Sequence, residues 1–128
     1  FDKIFKTELI KKFERLCNIH NSPLPKYRGV NPINWALKNN EISHGVTLHI
    51  IDKGIDTGDI LDQETFPINQ NMEVSDVYSL CIETGKELLN KNLFLLSTLK
   101  PKIQNNENAS LYTKADFDQL EDRKYFTR

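Results

Sequence analysis

A chain of 128 residues is long enough for one compact domain with a sizeable core and too short for two. Its 17 lysines and arginines nearly balance 18 aspartates and glutamates, for a net charge of -1, so no basic field invites nucleic acid or an anionic membrane. No apolar run approaches the ~20 residues of a bilayer crossing, and FDKIFK lacks the pattern of a secretory signal, so a cytoplasmic chain with no membrane partner is expected.

The first element in chain order is a short amphipathic helix: KTELIKKFER, residues 6–15, sets Leu9, Ile10 and Phe13 on one stripe between charges. LCNIH then reads as a brief strand whose alternation turns Asn18 and His20 to one face and Cys17 and Ile19 to the other. Pro23 and Pro25 interrupt NSPLP, and KYRGVN forms a loop with Gly29 as its flexible point. Pro32 opens a helix, PINWALKNN, whose Ile33, Trp35, Ala36 and Leu37 are expected to pack on neighbouring elements.

GVTLHIID is a second strand, with Val46, Leu48 and Ile50 on one side and Thr47, His49 and Ile51 on the other. The turn-rich DKGIDTG, containing Gly54 and Gly58, joins it to a third strand in DILDQETFPI, closed by Pro67. From about Glu73 to Leu99 the residues Val74, Val77, Tyr78, Cys81, Leu88, Leu89, Leu96 and Leu99 fall near helical spacing and predict the longest helix. Glu73 and Asp76 suit its positive end. After Pro101, QNNENAS reads as a polar linker and LYTKADFDQLEDRK as a short contact followed by a marginal helix. This order of elements implies an α/β fold with a small mixed sheet and a long C-terminal helix.

Two groups of residues can carry chemistry. Asn18 and His20 share a face at the C-terminal end of their strand, where open α/β sheets bind ligands, and an amide beside an imidazole can stabilise a developing oxyanion. The bland alternative is a polar strand end. In HIIDKGIDTGD, Asp56 can be held near His49 to orient the ring or relay a proton, whereas Asp52 and Asp59 read as turn caps. His44 reads as a solvated loop histidine. Lys26, Tyr27 and Arg28 either grip a phosphate or form a soluble loop. Cys17 and Cys81 have no CxxC or Cys/His ligand spacing and read as reduced core thiols. No phosphate-cradling glycine run, HExxH or GxSxG occurs, which argues against a covalent enzyme.

Taken together, NIHNSPLPKYRG, NPINWAL, GVTLH and GIDTGDIL resemble, in order and spacing, successive blocks of the formyltransferases that use 10-formyltetrahydrofolate. That family includes methionyl-tRNA and glycinamide ribonucleotide formyltransferases and enzymes acting on amino groups of nucleotide-linked sugars. The resemblance implies that residues 1–100 are the C-terminal half of a partial Rossmann-like catalytic domain, with 101–128 a polar linker and short tail. It implies transfer of a formyl group to the primary amine of a small molecule, with Asn18, His20 and Asp56 as catalytic residues and no metal. The pterin pocket falls on Gly54, Ile55, Thr57 and Gly58, and acceptor contacts on Ser22, Lys26, Tyr27, Arg28 and His49.

His49 and the PKYRG and PINWAL blocks look most like the members acting on an amino sugar of a nucleotide. The alternatives are a methionyl-tRNA formyltransferase, a formyl-folate deformylase, or a non-catalytic interaction domain of the same fold. FDKIF matches the segment that follows the family's first half-domain. The expectation is therefore a portion of a longer enzyme, or a homo-oligomer or second chain covering an exposed sheet edge.

Overall fold

The structure, a computed structural model, describes residues 16–96, 98–120 and 124–126, so the helix expected over residues 6–15 lies outside the described residues. The alternating segments form strands β1 (Cys17–His20), β3 (Ser43–Ile50) and β4 (Ile60–Pro67). They join in one sheet in the order β1-β3-β4, with both ladders antiparallel. The expected small mixed sheet is realised as two separate small sheets. The parallel pairing belongs to β2 (Arg28–Gly29) and β5 (Leu111–Tyr112).

Register sets which side chains meet. Asn18 opposes His49 and His20 opposes Thr47, so these four share one face. A register shift at Leu48/His49 then brings His49 opposite Ile60, re-aiming the strand end next to the loop that follows. The other face of β1 and β3 presents Ile19, Val46 and Leu48 to the main core.

Helix α2 (Val74–Asn92) covers that core face with Val77, Cys81, Gly85, Leu88 and Asn92, a run of four- and three-residue spacings. Its start is fixed by a capping box in which Glu73 and Asp76 each accept from the other's backbone N–H. The helix ends at Asn92 rather than continuing to Leu99. Nineteen residues span about 28 Å, close to the roughly 26 Å of the eight-residue strands beneath. Leu93, Phe94 and Leu95, just beyond the helix end, are 49%, 92% and 50% exposed, whereas Leu96 and Leu99 of the expected stripe pack against the main core from outside the helix. The amide of Asn92 donates to Asp62 of β4 and to the Leu88 carbonyl, tying the last turn to the sheet.

Helix α1 (Pro32–Lys38) starts at proline and buries Ile33, Trp35, Ala36 and Leu37, as its sequence predicts. Leu37 and Ile33 join the main core, while Trp35 and Ala36 make a second cluster with Tyr27, packed by Tyr112, Phe117, Leu120 and Phe126. The rings of Trp35 and Tyr112 stack at 4.1 Å. Residues 110–112 therefore return to the body of the protein, followed by the short helix α3 (Lys114–Asp118). No helix among the described residues is long and apolar enough to cross a membrane.

Candidate active site

On the sheet face away from α2, the ends of β1 and β3 present Asn18, His20 and His49 to a cavity of about 470 Å³. Its far wall is the loop between β3 and β4, with Gly54, Ile55, Asp56, Thr57 and Gly58 all lining it. The loop is shaped by its own polar groups. Asp52 accepts from the Gly54 N–H at 2.9 Å and from the Thr57 hydroxyl at 2.6 Å. A Cβ at Gly58 would fall on the Ile50 carbonyl, so only glycine lets the loop close against β3. Asp52 thus performs the turn-capping role its sequence position suggests.

Asp56 sits in the left-handed region with φ 56, which costs on the order of 1 kcal/mol for a residue with a Cβ. That backbone turns the carboxylate back over the strand ends. Its Oδ2 lies 3.5 Å from His20 Nδ1 and accepts the Gly29 N–H at 2.9 Å, while its Oδ1 lies 3.7 Å from His49 Nε2. The carboxylate is 16% exposed, so these interactions act where water screens little.

The histidine tautomers follow from their partners. His20 Nε2 lies 2.8 Å from the Tyr27 carbonyl, which can only accept, so Nε2 carries hydrogen and Nδ1 faces Asp56 as the place where a mobile proton binds or leaves. His49 Nδ1 donates to the Ile50 carbonyl at 3.1 Å. Burial holds the His49 pKa below its ordinary value, although that carbonyl and the Asp56 charge oppose the shift. The ring is therefore neutral at pH 7, and its buried Nε2 has no hydrogen-bond partner, since the Asp56 contact is too long for one. A buried acceptor lone pair beside a carboxylate is open to a hydrogen bond from a donor in the cavity. Among the described residues no three His, Cys, Asp or Glu side chains are grouped to hold a metal.

Asn18, His20, His49 and Asp56 come together, as do the loop residues Gly54, Ile55, Thr57 and Gly58. Four residues expected to contact an acceptor do not line the cavity. Ser22 is fully buried and donates to the Lys26 carbonyl, while its own carbonyl accepts from Thr47. Lys26 points to solvent. Tyr27 is buried against His44 and Tyr112, and burial pushes its hydroxyl pKa up to about 12. Arg28 donates to the side chains of Gln104 and Asn106. These residues build the wall that carries Gly29 instead of reaching the ligand space.

His44 is a further correction. It is no solvated loop residue: it lies in β3, fully buried, donates through Nε2 to the Asn21 carbonyl at 2.7 Å, and is flanked by the rings of Tyr27 and Phe66. Burial lowers its pKa from 6.5 to about 4. The sequence reading also missed cavity residues Val30, Asn31, Tyr112, Thr113 and Lys114, and the buried Gln104 behind Asp56. Residues 111–114 carry no local signal of a site, because only the pairing of β5 with β2 brings them to it.

Comparison with known proteins fits this geometry. Residues 1–93 match the formyl transferase family. The chain is 37% identical over 113 residues to a methionyl-tRNA formyltransferase of Caldanaerobacter subterraneus subsp. tengcongensis, covering 86% of this chain and 37% of that protein. Among solved structures, it superposes on an N-formyltransferase from Helicobacter canadensis in complex with folinic acid and dTDP-3-aminofucose. The TM-score is 0.84 with 42% identity, over 91% of this chain and 44% of the other. A sugar 3N-formyl transferase, WlaRD, solved in the presence of dTDP and 5-N-formyl-THF, gives the same TM-score of 0.84 and identity of 42%, over 91% and 43% of the two chains. The chain thus spans less than half the length of each protein it resembles here.

Proposed function

The chain belongs to the formyl transferase family, and on that premise we propose that it carries the catalytic end of an enzyme moving a formyl group from 10-formyltetrahydrofolate to the amine of a nucleotide-linked amino sugar. The observation that carries this reading is the placement of Asp56 between His20 Nδ1 and His49 Nε2, on a cavity that Asn18 also lines. The Gly54–Gly58 loop, all of whose residues line the cavity, is the wall proposed to meet the flat pterin.

In the proposed reaction the neutral amine attacks the formyl carbon, a C–N bond forms, and the formyl oxygen becomes an oxyanion. The Asn18 amide donates to that oxygen, and a His20 ring protonated at Nδ1 places positive charge beside it. Asp56 takes a proton from the new ammonium centre, helped by the His49 Nε2 lone pair, and the His20 Nδ1 proton passes to the folate nitrogen as its bond to carbon breaks. The products are tetrahydrofolate and the formamide, and the proton gained at Asp56 returns to Nδ1 across the 3.5 Å gap.

An amino-sugar acceptor is supported by 42% identity to the two sugar-acting or sugar-bound relatives, against 37% to the tRNA enzyme. The curated methionyl-tRNA relatives favour the second reading, methionyl-tRNA as acceptor. Offering a dTDP-amino sugar and methionyl-tRNA to the protein, with products read by mass, separates the two. Formate released with no acceptor present would instead identify a deformylase. His20→Ala and Asp56→Asn should each cut transfer on the order of a hundredfold or more at near-wild-type stability. Near-normal turnover in either variant would sink the assignment.

A further inference from the structure

The proposed chemistry needs a fixed Asp56, yet the residues that fix it lie far from it in sequence. Gln104 is 5% exposed. Its Nε2 donates to the Asp56 carbonyl at 2.9 Å and to the Gly58 carbonyl at 2.7 Å, so it ties both sides of the loop's last turn. Its Oε1 accepts from Arg28 Nε at 3.0 Å and Nη2 at 2.8 Å. A flipped amide would set its oxygen against two carbonyls and its NH2 against a guanidinium, so these four contacts permit one orientation.

The same network reaches the carboxylate. Gly29, next to Arg28, donates its N–H to Asp56 Oδ2 at 2.9 Å. Gly29 has φ 96, and a Cβ there would collide with the Tyr112 carbonyl, so this close approach depends on glycine. The segment bearing Gln104 is itself anchored: Lys102 and Ile60 exchange two backbone hydrogen bonds of 2.8 Å, and Arg28 N–H donates to the Ser110 carbonyl at 2.8 Å. Main chain and carboxylate of Asp56 are thus gripped from one side by Gln104 and from the other by Gly29.

We propose that Gln104, locked in orientation by Arg28, is a positioning residue that sets the Asp56 carboxylate between His20 and His49. The inference rests on the role of Asp56 given above, but its structural half stands apart from the identity of any substrate. A reacting group displaced by about 1 Å loses on the order of a hundredfold in rate, and the local Asp52 contacts go to Gly54 and Thr57, not to the main chain or carboxylate of Asp56.

The test uses Gln104→Met in the intact protein, with the Gly29 amide followed by ¹H–¹⁵N NMR and hydrogen exchange. That N–H reports on the Asp56 carboxylate, and Asp56→Ala shows what its loss looks like. Gln104→Met should shift the Gly29 resonance toward that of Asp56→Ala and speed its exchange on the order of tenfold. It should lower kcat on the order of tenfold while KM for the amine changes less than about twofold. Arg28→Met should move both readouts in the same direction by less, and carries the test should Gln104→Met fail to fold. A Gly29 amide unchanged in these variants overturns the proposal, whatever happens to turnover. Gly29 deprotected in a protein that transfers no formyl group would uphold the positioning role and sink the functional reading.

Discussion

The two faces of the three-stranded sheet are held by different physics. Toward α2, Val46, Leu48, Val77, Cys81 and Leu88 pack as an apolar core in which no residue needs a particular partner. Toward the cavity, Asp52, Asp56, Gly29, Arg28 and Gln104 are joined by directional hydrogen bonds, each with a named donor and acceptor. The core tolerates exchange of similar shapes and fails by leaving cavities. The site fails when one atom is removed, and it can do so without unfolding anything.

The largest expected effect breaks the core side alone. Leu88→Ala should destabilise by roughly 2–5 kcal/mol in denaturant titrations, because Leu88 is fully buried on the core face of α2, yet the folded fraction should keep its kcat. A matching loss of kcat would show that the two faces are coupled.

The next effect is electrostatic and lies at His44, buried in β3. Its folded pKa is about 4 against 6.5 unfolded, so between those values the unfolded chain binds the extra proton and stability falls as pH falls. Above pH 7 neither state binds it, and the dependence vanishes. Between pH 7 and 4 His44 should contribute about 3 kcal/mol of lost stability, which His44→Gln should remove from the pH profile. An unchanged profile in that variant would place the acid sensitivity elsewhere.

The smallest effect is on the loop. Asp52→Ala removes two hydrogen-bond acceptor contacts on an outer turn and should cost about 1 kcal/mol of stability or less, while weakening binding of a 10-formyl folate analogue several-fold in calorimetry. Asp52→Asn, which keeps an acceptor oxygen, should restore most of that affinity.

Much of the fold was legible because burial is periodic. Alternation in GVTLHIID assigned Val46 and Leu48 to one face and Thr47 and His49 to the other, and NIH did the same for Asn18 and His20. The reading overshot at the end of the long helix, where Leu96 and Leu99 do pack against the core but lie beyond Asn92, the last helical residue. His44 shows a second failure: a polar side chain can be core when a distant carbonyl, that of Asn21, takes up one of its ring nitrogens and burial keeps the ring neutral. QNNENAS shows a third, because Gln104 and Asn106 look like solvated linker until Arg28 is set beside them.

By itself the sequence determined the strands and helices of the middle of the chain, the face on which Asn18, His20 and His49 stand, and the glycine-bounded loop that carries Asp56. Those features depend on residues close together in the chain, through alternation, helical spacing and turn chemistry. Only the tertiary structure decided that β1 pairs antiparallel with β3, that Ser22, Tyr27 and Arg28 do not line the cavity, and that Gln104 holds the loop. These depend on hydrogen bonds between residues tens of positions apart, and a donor's sequence neighbourhood carries no record of which distant acceptor it will meet.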